Sequence, residues 1–378
     1  MRAWRVAEAL LALTLLTAGC TPTVRDRGPA VFFPPAPAPP RIQYLTRFSG
    51  RSDIEQQSAF NRFIVGEKPD IHLDKPYGVA MHDGRVYACD TNGTVMVFDL
   101  REKTFAPLEG AIAEGLLRQP VNISITADGT KYVSDPVRGQ VVAYGPDDRY
   151  LKAYGTPEEW KPVDAIAFGN ELFVADMQNS RVAVLDLQTG AVTRTVGTAG
   201  EPKDRLGRPS NLAFDKEGRL YVTDIARFQV VQFDRDGRLL KTFGNIGDGP
   251  GRFARPKGIA LDREGLLYAV DAAFNNVQIF TPQGRLATFF GGPGTEPGNL
   301  LLPAKVAIHY DDLDLFREFV QPGFTVEYLV IVTSQFGSPG VHVFAYGREE
   351  GKDYPTEEEL VRKIEERKVK APGGAKAP

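Results

Sequence analysis

The chain has 378 residues, 42% of them apolar, with 38 Gly and 28 Pro, enough for two average domains or for one large domain assembled from repeats. A formal charge of -3 and an isoelectric point near 5.9 give no basic field of the kind that draws a phosphate backbone, which excludes nucleic acid as an expected partner. The only cysteines are Cys20 and Cys89, so no pattern of intrachain disulfides is expected to staple the mature domain.

At the N-terminus, Arg2 and Arg5 precede an apolar core from Ala9 to Leu16 and then small residues up to Cys20, the layout of an export signal over residues 1–19. That core is too short to span a bilayer. The string LTAGC, ending at Cys20, resembles the signal of bacterial lipoproteins, which is cut before a cysteine that becomes acylated. The resemblance implies lipid, palmitate included, on Cys20, and the lack of Asp at position 21, which is Thr21, implies sorting to the outer membrane, facing the periplasm or the cell surface. Residues 20–40 form a Pro-rich linker ending in PPAPAPP. Extended as polyproline II at ~3.1 Å per residue, it could hold a domain as much as ~60 Å from the membrane.

The chain then repeats. Pro76, Pro120, Pro162, Pro209, Pro256 and Pro303 each open a short apolar run, at intervals of 44, 42, 47, 47 and 47 residues by subtraction. Further on, an apolar triplet closes on Asp90, Asp135, Asp176, Asp224 or Asp271, whereas the sixth copy ends in Ser334. The fourth copy reads PSNLAFD, DKEG, RLYVTD, FQVVQF, DRDG, RLLKTFG, and the fifth follows it element by element. Short apolar runs separated by Gly-containing turns predict four strands per copy. A period in the forties with four strands per unit marks an all-β fold, a six-bladed β-propeller over residues 41–347.

No fourth strand follows Gly347, but RIQYLTRFSG at Arg41 to Gly50 has the pattern of one. Ile42 to Phe48 is therefore predicted to complete the last blade, which removes two exposed sheet edges at once. The sixth copy carries an insertion between His309 and Tyr328, in which Leu313, Phe316 and Phe319 predict a short helix over the rim. In residues 348–378, Thr356 and Glu359 have the spacing of a capping box heading a charged helix to about Arg367, followed by a disordered tail.

The copies P-x-G-I-A-x-D, x-Y-V-x-D, N-x-V-Q-x-F and G-x-x-x-x-x-F-G resemble NHL repeats, from about Ile42 to Gly347. NHL propellers of other lineages bind proteins or RNA through one face of the ring. Given the address implied by Cys20, the resemblance implies a membrane-anchored scaffold of the bacterial envelope that binds an envelope or extracellular protein, a peptide or a glycan.

Chemistry is expected at the axis, two residues past each proline: Gly78, Asn122, Asp164, Asn211, Gly258 and Lys305. Asn122, Asp164 and Asn211 fall on consecutive blades and offer oxygens to one point, a candidate axial site for a hard cation such as Ca²⁺. This arrangement loosely resembles the metal site of six-bladed lactonases and implies the alternative function, a metal-dependent hydrolase or lyase. One carboxylate balances a divalent ion poorly, and Lys305 offers Asp164 another partner. The expectation is therefore no cofactor, with Ca²⁺ as the alternative, and no catalytic residue is assigned. His82 and His309, near Asp311 and Asp312, are the residues a Zn²⁺ would use, with turn capping as their structural alternative. The Asp that closes each triplet recurs once per copy, the mark of a scaffold role in tying loops. Arg138, Arg181, Arg227, Phe228 and Phe274, on the loops after these Asp residues, join Lys257 and Lys305 as the candidate binding face, because Arg and aromatic side chains dominate interface energetics.

Overall fold

The computed structural model describes residues 30–55, 69–337 and 339–354, together with positions 359 and 362. The export signal and Cys20 lie outside the described residues, and so do Thr356 and most of the C-terminal helix predicted with it. Glu359 and Arg362 are helical.

Among the described residues the strands form six sheets, five of four strands and one of five. Blade 4 is representative: Pro209–Phe214, Leu220–Asp224, Gln229–Phe233 and Leu239–Phe243 follow one another as an antiparallel meander. The innermost strands are Pro76–His82, Asn122–Ile125, Pro162–Phe168, Pro209–Phe214, Pro256–Leu261 and Pro303–His309. Each contacts the next, and the sixth contacts the first, so the ring is closed. Between each pair of neighbouring blades lies one apolar core, six in all. Both faces of a blade are buried in this way, which is why its middle strands read as nearly continuous apolar runs.

The leading strand behaves as the repeat pattern requires. Ile42–Phe48 pairs antiparallel with Gly340–Glu349, from Ile42 opposite Tyr346 to Phe48 opposite Val341. One feature departs from the predicted linker: Phe32–Phe33 forms a fifth, outermost strand against Ile42–Phe48. The ring of Phe33 lies 6.2 Å from Phe290 and 6.4 Å from Phe344. Two Phe side chains gain more by packing on this blade than by staying solvated in an extended spacer, so the folded unit begins at Val31 rather than at residue 41. At the other limit the strand runs to Glu349, two residues past the expected boundary.

The insertion in blade 6 holds a helix at Leu313–Phe319, but of the 3-10 kind. Leu313, Phe316 and Phe319 are spaced by three, the period at which 3-10 side chains align, and Phe316 is buried in the core between blades 6 and 1. Gln43 pins it: its Nε2 donates to Phe319 O at 2.9 Å and its Oε1 accepts from Gln321 N at 3.1 Å.

His342 in blade 6 sits 6% exposed, and neither ring nitrogen has a hydrogen-bond partner among the described residues. Burial, with a smaller effect of the Arg47 guanidinium, pushes its pKa down to about 3 from 6.5. An unfolded chain therefore takes up a proton below pH 6.5 that the folded one refuses, and stability falls as pH drops, at about 1.4 kcal/mol per pH unit until near pH 3. Denaturant titrations at pH 7 and pH 4.5 should show the parent losing roughly 2–3 kcal/mol more than His342→Leu. Equal losses would assign the acid sensitivity elsewhere.

Candidate functional site

The proline that opens each innermost strand sits at one end of the ring, here the upper end, and the residue two places on faces the axis. These six positions link the blades in turn. A Cβ built on Gly78 would lie 2.5 Å from Asn122 Cα, and one on Gly258 would lie 2.6 Å from Lys305 Cα, so glycine is needed at both for close approach of the strands. Asn122 Nδ2 donates to Val163 O at 2.9 Å, Asp164 Oδ2 accepts from Leu212 N at 2.9 Å, and Asn211 Oδ1 accepts from Ile259 N at 3.2 Å. Thr333 completes the circuit, its hydroxyl donating to Tyr77 O and accepting from Lys305 N.

Blades 3 and 6 face each other across a six-membered ring, and Lys305 spans the gap. Its Nζ lies 3.3 Å from Asp164 Oδ2 and donates also to Asn211 Oδ1, with the two charged side chains 9% and 1% exposed. The axis is stopped by this bridge. Burial raises the Asp164 carboxyl above its ordinary range, opposed first by the Lys305 ammonium and then by the N–H groups of Leu212 and Ala165.

The donor set does not fit a divalent cation. Ca²⁺ asks for six to eight oxygens, and here the single carboxylate and the Asn211 carbonyl already hold an ammonium that would repel it. Asn122 Oδ1, the third oxygen, is buried without a partner among the described residues. The histidines do not converge either: His309 Nε2 lies 3.0 Å from Asp312 Oδ2, while that carboxylate also takes Gly84 N and Arg101. Among the described residues no group of three or more His, Cys, Asp or Glu is placed to hold a metal.

The once-per-blade Asp residues tie two loops each. Asp135 Oδ1 accepts from Val137 N and Arg138 N at 3.1 and 2.9 Å, while its Oδ2 reaches Gln119 N at 3.0 Å in the segment entering the innermost strand. Asp224 and Asp271 repeat this, and in blade 6 Ser334 Oγ accepts from Leu301 N at 2.8 Å.

Arg138, Arg181 and Arg227 do lie at the same end as Lys257 and Lys305, but their guanidiniums work within the chain. Arg138 donates to Gln140 Oε1, Leu116 O and Glu114 O at 2.7–2.8 Å. Arg181 pairs with Asp176 at 3.1 Å, and Arg227 donates to Pro202 O at 2.6 Å. Arg138 and Arg227 brace loops that enter the innermost strands by bonding their carbonyls, and Arg181 pairs with the Asp that ties such a loop. Phe228 packs partly into the core between blades 4 and 5, and Phe274 is half-buried. Lys305, buried in its bridge, faces the axis and not a partner.

Four exposed cations that pair with no carboxylate among the described residues also stand on this end. Lys75, Lys161, Arg208 and Arg255 each precede an opening proline and are exposed, a signal readable in four of six copies but not used above. Lys257 is half-buried, its Nζ donating to Gln335 Oε1 at 2.9 Å and lying 4.9 Å from the Tyr77 ring centre. Burial, then Arg255 and Lys75, lower its pKa to about 8. Exposed apolar side chains share this end: Ile71, Ile112, Leu116, Val137, Ile246 and Phe336. The other large exposed apolar residues, such as Leu240 and Phe289, lie on fourth strands at the circumference, and among the described residues none is on the hairpins of the lower end.

Comparison with known proteins agrees with this architecture. Residues 203–284, most of blades 4 and 5, match a family described as 6-bladed beta-propeller. The fold is a six-bladed β-propeller. A curated relative, Protein NirF of Stutzerimonas stutzeri, is 26% identical in an alignment of 138 residues that covers 31% of this chain and only 35% of that protein. Among solved structures, a gluconolactonase of Xanthomonas campestris aligns over 85% of this chain and 99% of its own, at 17% identity and a TM-score of 0.53. A streptogramin B lyase aligns over 81% and 98%, at 12% identity and 0.52. An auxiliary nutrient binding protein of Bacteroides thetaiotaomicron aligns over 72% and 69%, at 14% and 0.53. At such identities these likenesses speak for the fold alone.

Proposed function

We propose that this protein is a recognition platform of the bacterial envelope, an NHL-type propeller tethered through acylated Cys20 that docks a protein, peptide or glycan on its upper end. One observation carries the reading: the exposed apolar side chains of Ile71, Ile112, Leu116, Val137, Ile246 and Phe336 share one end of the ring with the exposed Lys75, Lys161, Arg208 and Arg255, above an axis stopped by Lys305. Apolar exposure set among charges is a physical mark of interaction surfaces. The tether rests on the LTAGC string and the segment before it.

The alternative is a metal-dependent hydrolase or lyase, the class to which a gluconolactonase and a streptogramin B lyase among the fold neighbours point. It requires an axial metal, and two of the three side chains that would hold one, Asp164 and Asn211, are bonded to Lys305. A photoreactive phenylalanine analogue placed at Val137, at Phe336 or at Leu240 separates the faces in intact cells. Capture of a partner from the first two positions and not from the third is the expected result. Capture from Leu240 alone, or from none, contradicts the reading.

A further inference from the structure

Lys75 on blade 1 and Arg255 and Lys257 on blade 5 flank the upper edge of blade 6 between them. Lys257 Nζ donates to Gln335 Oε1 and Lys75 Nζ lies 5.9 Å from the ring of the next residue, Phe336, so the two ammoniums flank one segment of blade 6, with Arg255 two residues before Lys257. Among the described residues none of the three side chains forms an ion pair, while the backbone N–H groups of Lys75 and Arg255 donate to Asp90 and Asp271. Three like charges so placed repel one another in the free protein, and an anion between them relieves the repulsion. The central amine is held in position: Gln335, itself 4% exposed, accepts a hydrogen bond from it, and the Tyr77 ring lies beneath. Behind it the Lys305–Asp164 bridge closes the axis, so a ligand entering from above meets a floor. Beside it Phe336 is 53% exposed, with Lys75 Nζ 5.9 Å from its ring centre, a shelf for an apolar side chain.

Resting on the platform reading above, we propose that this mouth is the receptor for a peptide carboxylate of the docked partner, taken by Lys257, Arg255 and Lys75 while the neighbouring apolar residue of the peptide packs on Phe336. Charge complementarity selects an acidic segment, and Phe336 selects one with an apolar residue next to the acid over a bare inorganic anion. The carboxylate belongs either to an Asp or Glu side chain or to a chain terminus, and the two sources are separable.

The probes are acetyl-Glu-Phe-Glu-amide, acetyl-Gln-Phe-Gln-amide and the free acid of the latter, titrated calorimetrically into the full chain. Either carboxylate peptide is expected to bind about tenfold or more tightly than the neutral one, less so at higher salt, and to lose about tenfold in Lys257→Gln and in Arg255→Gln. Both variants lie on the surface of the mouth, and their melting curves check that they fold. Binding by the Glu peptide assigns a side-chain carboxylate, and binding by the free acid assigns a terminus. A second readout is acylation of Lys257 near pH 8, followed by mass mapping: a bound carboxylate favours the ammonium and slows labelling. Equal affinity for all three peptides, affinity unmoved by either substitution, or displacement by inorganic phosphate at matching concentration overturns the proposal. Photocapture at Val137 reads the platform independently. Capture kept without carboxylate preference sinks this proposal alone, whereas capture lost sinks the platform with it.

Discussion

Removing the chain through Gly50 is expected to destroy cooperative unfolding or to lower the melting temperature by tens of degrees. Ile42–Phe48 is the fourth strand of blade 6, and its side chains fill two cores: Ile42 that between blades 5 and 6, Leu45 and Phe48 that between blades 6 and 1. At about 1.5–3 kcal/mol for each buried side chain, these three alone approach the 5–15 kcal/mol by which a typical domain is stable. The loss also bares the edge of Gly340–Glu349, a long strand with an apolar run, which favours aggregation. Phe48→Ala is the milder form, expected to cost roughly 3–5 kcal/mol by truncating a core aromatic. A truncated chain melting like the parent would show that the ring does not depend on this strand.

Lys305→Met should be nearly as damaging, for an electrostatic reason. It strands the Asp164 carboxylate in a site 1% exposed, and breaking one side of a buried ion pair costs about 3–5 kcal/mol. The cost depends on pH in a fixed sense. Burial already raises the Asp164 pKa, and the ammonium is the strongest influence opposing it, so without Lys305 the folded-state value climbs further above the unfolded one. Ionisation then favours the unfolded chain: the variant's stability is fullest below the unfolded carboxyl pKa and declines as pH rises toward the folded value. Replacing both partners, Lys305→Met with Asp164→Leu, is expected to recover most of the loss, because an apolar pair of similar volume needs no solvation. Denaturant midpoints across pH for the two single variants and the double variant measure the coupling. Additive losses would place the two charges outside mutual contact.

The ring was legible in the sequence because its physics is periodic. Six opening prolines count out the blades, and RIQYLTRFSG carries enough alternation to be matched to a missing strand. The same counting finds the axial positions, and the choice between a cation site and a Lys305–Asp164 pair was visible there as two alternatives. What periodicity cannot carry was lost. Phe32–Phe33 is too short for alternation to register, and its pairing depends on Phe290 and Phe344, more than 250 residues on. The intrachain partners of Arg138, Arg181 and Arg227 are likewise out of reach, because residue type is visible in a sequence while the loop carbonyl or carboxylate beside it is not. Lys75, Lys161, Arg208 and Arg255 were within reach, since a basic residue precedes proline in four copies. A repeat counted forward from each proline, toward the strand, leaves the residue before it out of the pattern.

Lys305 standing as the cation at the axis, with the upper end left for recognition, is tested most directly by elemental analysis of the native protein after dialysis against Ca²⁺, paired with melting curves with and without a chelator. The expected result is sub-stoichiometric metal and one unchanged melting curve. A stoichiometric Ca²⁺ whose removal lowers the melting temperature would contradict it, and would return the axis to metal chemistry.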